Sequence, residues 1–149
     1  MAVREATPAD AELLGRLMHD FSTEYDDFTP GPARFAERFR DLLAGGGTAA
    51  LLAGEDGLAV LRFQPSLYTE GLECYLAELY VAPARRGHGL GRELMEAAIE
   101  LARGRGADYM YLATSEDDVA ARGLYERMGF RNREGGADGP VMYCYEREL

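Results

Sequence analysis

The chain has 149 residues and a formal net charge of −10, a length that suits one domain, expected to span 1–149, burying roughly two-thirds of its unfolded surface. So acidic a chain argues against nucleic acid as the main partner, because phosphate binding needs a basic surface. No apolar run approaches the roughly 20 residues that cross a bilayer, and the N-terminus lacks a charged-then-apolar signal pattern. The expected compartment is the cytoplasm, with no membrane partner.

Val3 to Ala6 predicts a short first strand. Thr7 can cap a helix with Pro8 at its first position, and Leu13, Leu14, Leu17, Met18 and Phe21 form that helix's apolar face. Thr29-Pro30-Gly31-Pro32 breaks the chain before a second helix running to about Ala44, stopped by Gly45 to Gly47. Thr48 to Ala53 and Leu58 to Phe63 read as a hairpin across Gly54-Glu55-Asp56-Gly57. The run Cys74 to Val81 (CYLAELYV), closed by Pro83, predicts a buried fourth strand. Leu90, Leu94, Ala97, Ala98 and Leu101 then lie on one helical stripe that Gly104 and Gly106 end. A fifth strand over Tyr109 to Thr114, a helix ending at Gly129, and strands at Phe130 to Arg133 and Val141 to Glu146 complete the expected order. This order of elements gives an α/β (α+β) fold class.

Cys74 and Cys144 both lie in strand-like apolar runs and read as reduced core thiols. His19 and His88 are far apart, with no Cys at ligand spacing, so no metal site is readable. His19 reads as a surface or satisfied core residue.

The stretch Arg86-Gly87-His88-Gly89-Leu90-Gly91-Arg92 joins the fourth strand to the following helix. At such a junction the first helical N–H groups lack intrahelical partners and the helix dipole is positive, so backbone alone can hold phosphate oxygens. A nucleotide loop of the Gly-Lys-Ser/Thr type fails, because all 16 basic residues are arginine. A dinucleotide G-x-G-x-x-G is weak, since Arg92 stands where the third glycine belongs. What remains is Arg-x-x-Gly-x-Gly at Arg86, Gly89 and Gly91.

That pattern resembles motif A of the GNAT superfamily of acetyl-CoA-dependent N-acetyltransferases. Asp118-Val-Ala-Ala121-Arg-Gly-Leu124-Tyr125-Glu-Arg-Met-Gly129-Phe130 is similar to the family's later Asn-x-x-Ala, Leu-Tyr and Gly-Phe helix. Specific resemblance covers Glu73 to Phe130; the flanks match in element order. It implies a mixed central sheet flanked by helices and splayed between the fourth and fifth strands, with a slot there for pantetheine. Acetyl-CoA is the implied co-substrate, with no metal, and an amine-bearing small molecule or peptide is the acceptor; a homodimer stays open. The implied cofactor contacts are the backbone of Leu79, Tyr80 and Val81 together with Arg86, Gly87, His88, Gly89, Leu90, Gly91 and Arg92. Asp118 departs from the family's asparagine: it cannot donate through an amide, its charge could repel phosphate, and it is a strong helix N-cap.

Glu78 is the candidate base, as the only carboxylate within Cys74 to Val81, where an apolar strand makes an idle charge costly and raises its pKa. The alternative pairs it structurally with an arginine such as Arg62. Tyr125 shares one helical face with Ala121, Leu124 and Met128, which accounts for its burial; the Leu-Tyr match implies a further role as general acid toward the CoA thiolate. Acceptor selection is expected from Phe21 to Pro32, Gln64 to Leu72 and Gly135 to Pro140. In the first of these, Glu24, Asp26 and Asp27 lie among Phe21, Tyr25 and Phe28, a setting suited equally to an ammonium ligand and to a solvated helix end. An acetyl-CoA sensor without catalysis, and a phosphate-binding interaction domain, are the competing readings.

Overall fold

The computed structural model describes residues 2–149, which divide into two compact units, one running to Tyr111 and one from Leu112 to Leu149. In the first unit the elements are β1 (Val3–Glu5), α1 (Ala11–Glu24), α2 (Pro32–Ala44), β2 (Thr48–Ala53), β3 (Gly57–Pro65), β4 (Leu72–Val81), α3 (Leu90–Gly104) and β5 (Ala107–Tyr111). The sheet order is β1-β2-β3-β4-β5; the first four strands are antiparallel neighbours, and β5 joins β4 in parallel through the crossover helix α3.

Side-chain alternation gives the sheet two apolar faces. Ala50 and Leu52 of β2, Leu58 and Val60 of β3 and Tyr80 of β4 pack with Leu14, Leu17 and Met18 of α1 and Ala36 and Phe39 of α2. The other parity of β2 and β3, Ala49, Leu51, Ala59 and Leu61, is also buried, as are Leu90, Leu94, Met95 and Ala98 of α3. Gly57 marks how near that helix lies: a Cβ there would stand 3.1 Å from Leu94 Cδ1. Gly15, in mid-helix, does the same for the α1–α2 contact, since a Cβ would meet the carbonyl oxygen of Pro32 at 2.5 Å. Its poor helix propensity is tolerated because only a bare Cα lets the two helices meet.

At the N-terminus, Asp10 accepts from the Thr7 N–H at 2.9 Å and from both terminal nitrogens of Arg4 at 2.9 and 2.7 Å. The chain leaves β1 through a 3-10 turn, Pro8–Asp10, before α1 begins.

The second unit contains α4 (Val119–Arg127), whose N-cap Asp118 accepts from the Ala121 N–H at 3.2 Å. Its other end is a Schellman stop. Gly129 takes φ +91°, its N–H donates to Glu126 O at 3.2 Å, and the Phe130 N–H donates to Tyr125 O at 3.0 Å. The Phe130 ring then packs edge-on against Tyr125, centroids 6.1 Å apart. The Gly-Phe pair therefore ends the helix and covers its tyrosine.

Three expectations are corrected. Phe130 to Arg133 and Val141 to Glu146 do not finish the sheet: they share one isolated bridge, Arg133↔Val141, supported by Met142 N–H to Asn132 O at 2.8 Å. Gly135 and Gly136 at positive φ turn the chain inside this bridge, where Glu134 N–H also donates to Pro140 O at 3.0 Å, and outward of Asn132 and Met142 no further rung forms between the two segments. Cys144 consequently is exposed rather than a core thiol, whereas Cys74 is fully buried, and burial pushes its thiol up to about 11. β5 ends at Tyr111 instead of Thr114, because its parallel ladder stops at Tyr75↔Tyr111, next to an irregularity in β4.

Candidate active site

That irregularity is a bulge. Val60 pairs with Glu78 and Leu61 with Leu76, so Ala77 is an extra residue of β4 with no partner of its own. Before the bulge Cys74 and Leu76 pair with Phe63 and Leu61, on the α3 side of the sheet. After it Glu78 and Tyr80 pair with Val60 and Leu58, on the α1–α2 side. Plain alternation would bury Glu78 beside Cys74 and Leu76; the extra residue turns it to the opposite face. The same bulge ends the β5 ladder, so from Leu76 to Val81 the β4 edge away from β3 has no strand partner among the described residues. This is the expected splay.

Glu78 is half-buried, and no described residue hydrogen-bonds or ion-pairs with its carboxylate. Desolvation raises its pKa; Arg62 opposes the shift and Asp27, from the segment after α1, adds to it. Arg62 sits across from Tyr75 in the ladder and is exposed, so its charge acts on Glu78 without a salt bridge.

The glycine loop follows β4 through a short turn at Pro83–Arg85. Gly87 and Gly89 hold φ +81° and +85°, and a Cβ on either would meet no protein atom within 4 Å. The first α3 amide bonded back to the loop is that of Glu93, donating to Gly89 O at 3.0 Å. The N–H groups of Leu90, Gly91 and Arg92 precede that bond, and with those of Gly87, His88 and Gly89 they form a run of donors at the positive end of α3. Such a run of donors suits a diphosphate bound through backbone. Leu90 is buried beneath it, the His88 ring nitrogen lies 3.3 Å from Arg85 O, and Arg92 is paired with Glu96 at 2.8 Å.

Arg86 is turned elsewhere. Its terminal nitrogens donate to both Glu24 carboxylate oxygens at 2.7 and 2.8 Å, its Nε donates to Val81 O at 3.0 Å, and the guanidinium lies 5.8 Å from the Tyr80 ring centre. Tyr80 also stacks on Phe21 at 4.9 Å, and Phe21 meets Tyr25 edge-on at 5.4 Å. His19 is satisfied by the Thr29 hydroxyl at 2.9 Å.

Glu78, Leu79, Tyr80, Val81 and Arg86 to Arg92 thus belong to one unit, and Tyr125 to the other. Tyr125 is buried, and burial together with the charge of Asp118 pushes its hydroxyl up to about 12. Among the described residues no group of three or more His, Cys, Asp or Glu could hold a metal ion, and no helix is long and apolar enough to cross a membrane.

Residues 14–130 match the Acetyltransferase (GNAT) family. The chain belongs to this family. Among solved structures, it is similar to that of a protein from Arthrobacter sp. FB24 assigned as an acetyltransferase, 44% identical with a TM-score of 0.91 over 100% of this chain and 96% of that one. It is 33% identical to the streptothricin acetyltransferase of Streptomyces lavendulae over 87% of its own length, and spans 62% of that relative. An acetyltransferase from Clostridium acetobutylicum, solved with acetyl-CoA, shares the fold at a TM-score of 0.73 and 19% identity, covering 92% of this GNAT chain and 94% of its own.

The bulge and the Glu24–Arg86 pair are the features that sequence reasoning did not name. The first left a signal: Glu78 has the parity of Cys74 and Leu76 in the sequence, and a carboxylate in phase with core residues points to a break in phase. The second joins residues 62 apart and left none.

Proposed function

We propose that this GNAT chain transfers the acetyl group of acetyl-CoA to a primary amine of a small molecule or peptide, by direct attack within a ternary complex. The observation that carries the reading is the run of loop and helix N–H donors set immediately after a strand whose edge is open from Leu76 to Val81. The loop suits the diphosphate, and the backbone of Leu79 to Val81 on the edge away from β3 suits the pantetheine amides, with one N–H able to polarise the thioester carbonyl. The amine must lose a proton to attack. Glu78, held above an ordinary carboxylate pKa by desolvation and turned out of the α3-side core by the bulge, is the proposed acceptor, directly or through water. The amine nitrogen then bonds to the carbonyl carbon, the carbon–sulfur bond breaks, and the sulfur takes a proton.

Tyr125 is the proposed donor to that sulfur. With its hydroxyl near 12 it stays protonated across the physiological range. Full transfer to a thiolate whose thiol has a pKa near 8.5 is uphill by roughly 5 kcal/mol, so the hydroxyl serves best as a hydrogen-bond donor to the developing sulfur charge, and the proton the thiolate takes up is the second one that the attacking nitrogen loses as the tetrahedral intermediate collapses to the amide. The similarity to a streptothricin acetyltransferase supports an amine acceptor.

The test is thiol release from acetyl-CoA with a panel of polyamines, aminoglycosides, amino acids and peptides, the products weighed by mass spectrometry. An acetylated amine is the expected result. Acetyl-CoA binding without transfer to any amine would leave a cofactor sensor in place of an enzyme.

A further inference from the structure

Arg86 opens the glycine loop, yet its guanidinium is spent on three protein groups, and they belong to different elements. It binds the last carbonyl of β4 through Val81 O, lies over the Tyr80 ring of the same strand, and forms a two-point ion pair with Glu24, the last residue of α1. Glu24 lies within Phe21 to Pro32, the first segment expected to choose the acceptor, and Gly87, the first loop donor, follows Arg86 directly. We infer that Glu24 and Arg86 act as a positioning pair, fastening the acceptor-side end of α1 to the strand end from which the cofactor loop departs, so that the loop donors are set before acetyl-CoA arrives. This inference rests on the proposed acetyl transfer at the same site.

The physical case lies in the geometry. Two parallel N–H···O contacts fix the plane of a guanidinium as well as its distance, and Nε on Val81 O fixes its third direction. The carboxylate is the better shielded partner, at 28% side-chain exposure against 40% for the arginine, and the Phe21–Tyr80 stack is carried by the same two elements. A loop whose glycines carry no side chains to pin it needs such an external anchor, because otherwise acetyl-CoA binding must supply the ordering. The loop and the acceptor segment therefore respond together when either partner is changed.

Calorimetric titration of acetyl-CoA, and of S-acetylpantetheine lacking the diphosphate, into wild type, Glu24→Ala, Arg86→Ala and the double variant decides the matter. Each single variant should weaken acetyl-CoA roughly threefold to tenfold, the double variant should be no worse than the weaker single, and S-acetylpantetheine should be little affected. Glu24→Ala should also raise the KM of an amine identified in the panel while kcat at saturation holds. Glu24→Gln, which keeps the shape, covers the case in which the alanine variant fails to fold. Glu37→Gln, which breaks the exposed Arg34–Glu37 pair at 3.1 Å, is the control and should change nothing. If Glu24→Ala leaves acetyl-CoA affinity unchanged or tightens it while Arg86→Ala weakens it, or if the two losses add, Arg86 serves the phosphates itself and the pair is overturned. Wild-type protein that does not bind acetyl-CoA removes the proposed function as well, a result distinct from the loss of coupling alone.

Discussion

Glu78 is destabilising when charged, which gives it a signature separable from any rate. Its pKa in the folded chain is raised, so protonation favours the folded form: the group costs nothing below its unfolded pKa, and stability is lost as pH rises through the folded one. Glu78→Gln should therefore raise the thermal midpoint at pH 7, with the gain shrinking as pH falls through the raised folded-state pKa and gone below about pH 4, where the carboxyl is protonated in both states, as followed by calorimetry. The same variant should lower turnover about a hundredfold and alter the acidic limb of the pH profile while acetyl-CoA affinity holds. A stabilised variant with wild-type turnover would leave Glu78 a buried charge without a catalytic part. For Tyr125, substitution by Phe keeps the ring and its contact with Phe130, so the fold should survive. The single-turnover rate with an identified amine should still fall by about a hundredfold, and an unchanged rate would take the hydroxyl out of the chemistry.

At the level of elements, the close contacts decide more than the propensities. Alanine is the better helix former by about 1 kcal/mol, so Gly15→Ala would stabilise an isolated α1. In the folded chain its Cβ would stand 2.5 Å from Pro32 O and 2.8 Å from Ala36 N, both backbone atoms that move only with α2 itself. Overpacking of this kind costs about 1 to 3 kcal/mol, so urea unfolding of Gly15→Ala should show a net loss of stability. A gain would mean that α1 and α2 separate freely. The bulge is the element-scale device of the site: one added residue reverses the facing of β4, ends the β5 ladder and leaves an edge of free backbone.

For the molecule as a whole, a site built from backbone predicts a clear linkage with its ligand. Acetyl-CoA at a thousand times its dissociation constant should stabilise the folded chain by about 4 kcal/mol, a rise in thermal midpoint of roughly 10 °C. Differential scanning fluorimetry checks this, with adenosine diphosphate and S-acetylpantetheine as partial ligands expected to give smaller shifts. No shift with any of the three would remove the glycine loop from cofactor binding.

The helices and the first four strands were legible in the residues because their signals are local. Apolar stripes at helical spacing, Pro32 at the start of α2 and Gly45 at its stop, and the glycine hairpin between β2 and β3 depend on neighbours a few positions away. The glycine loop was legible for the same reason, since a helix start after a strand leaves the same free N–H groups wherever it occurs. The C-terminal strands were misread because an apolar, aromatic-rich run such as Val141 to Glu146 marks a sequence able to pair, while pairing itself requires a partner edge in register, and only Arg133↔Val141 meets that condition. The facing of Glu78, which its phase with Cys74 and Leu76 only signals, and the bond between Glu24 and Arg86 were settled by tertiary structure: the first depends on how β3 and β4 count past each other, and the second on where α1 ends in space. Local sequence determined where the helices and the first four strands form and where a helix start leaves backbone N–H groups unbonded, whereas the orientation of the proposed base and the anchoring of the loop were decided by contacts between elements distant along the chain.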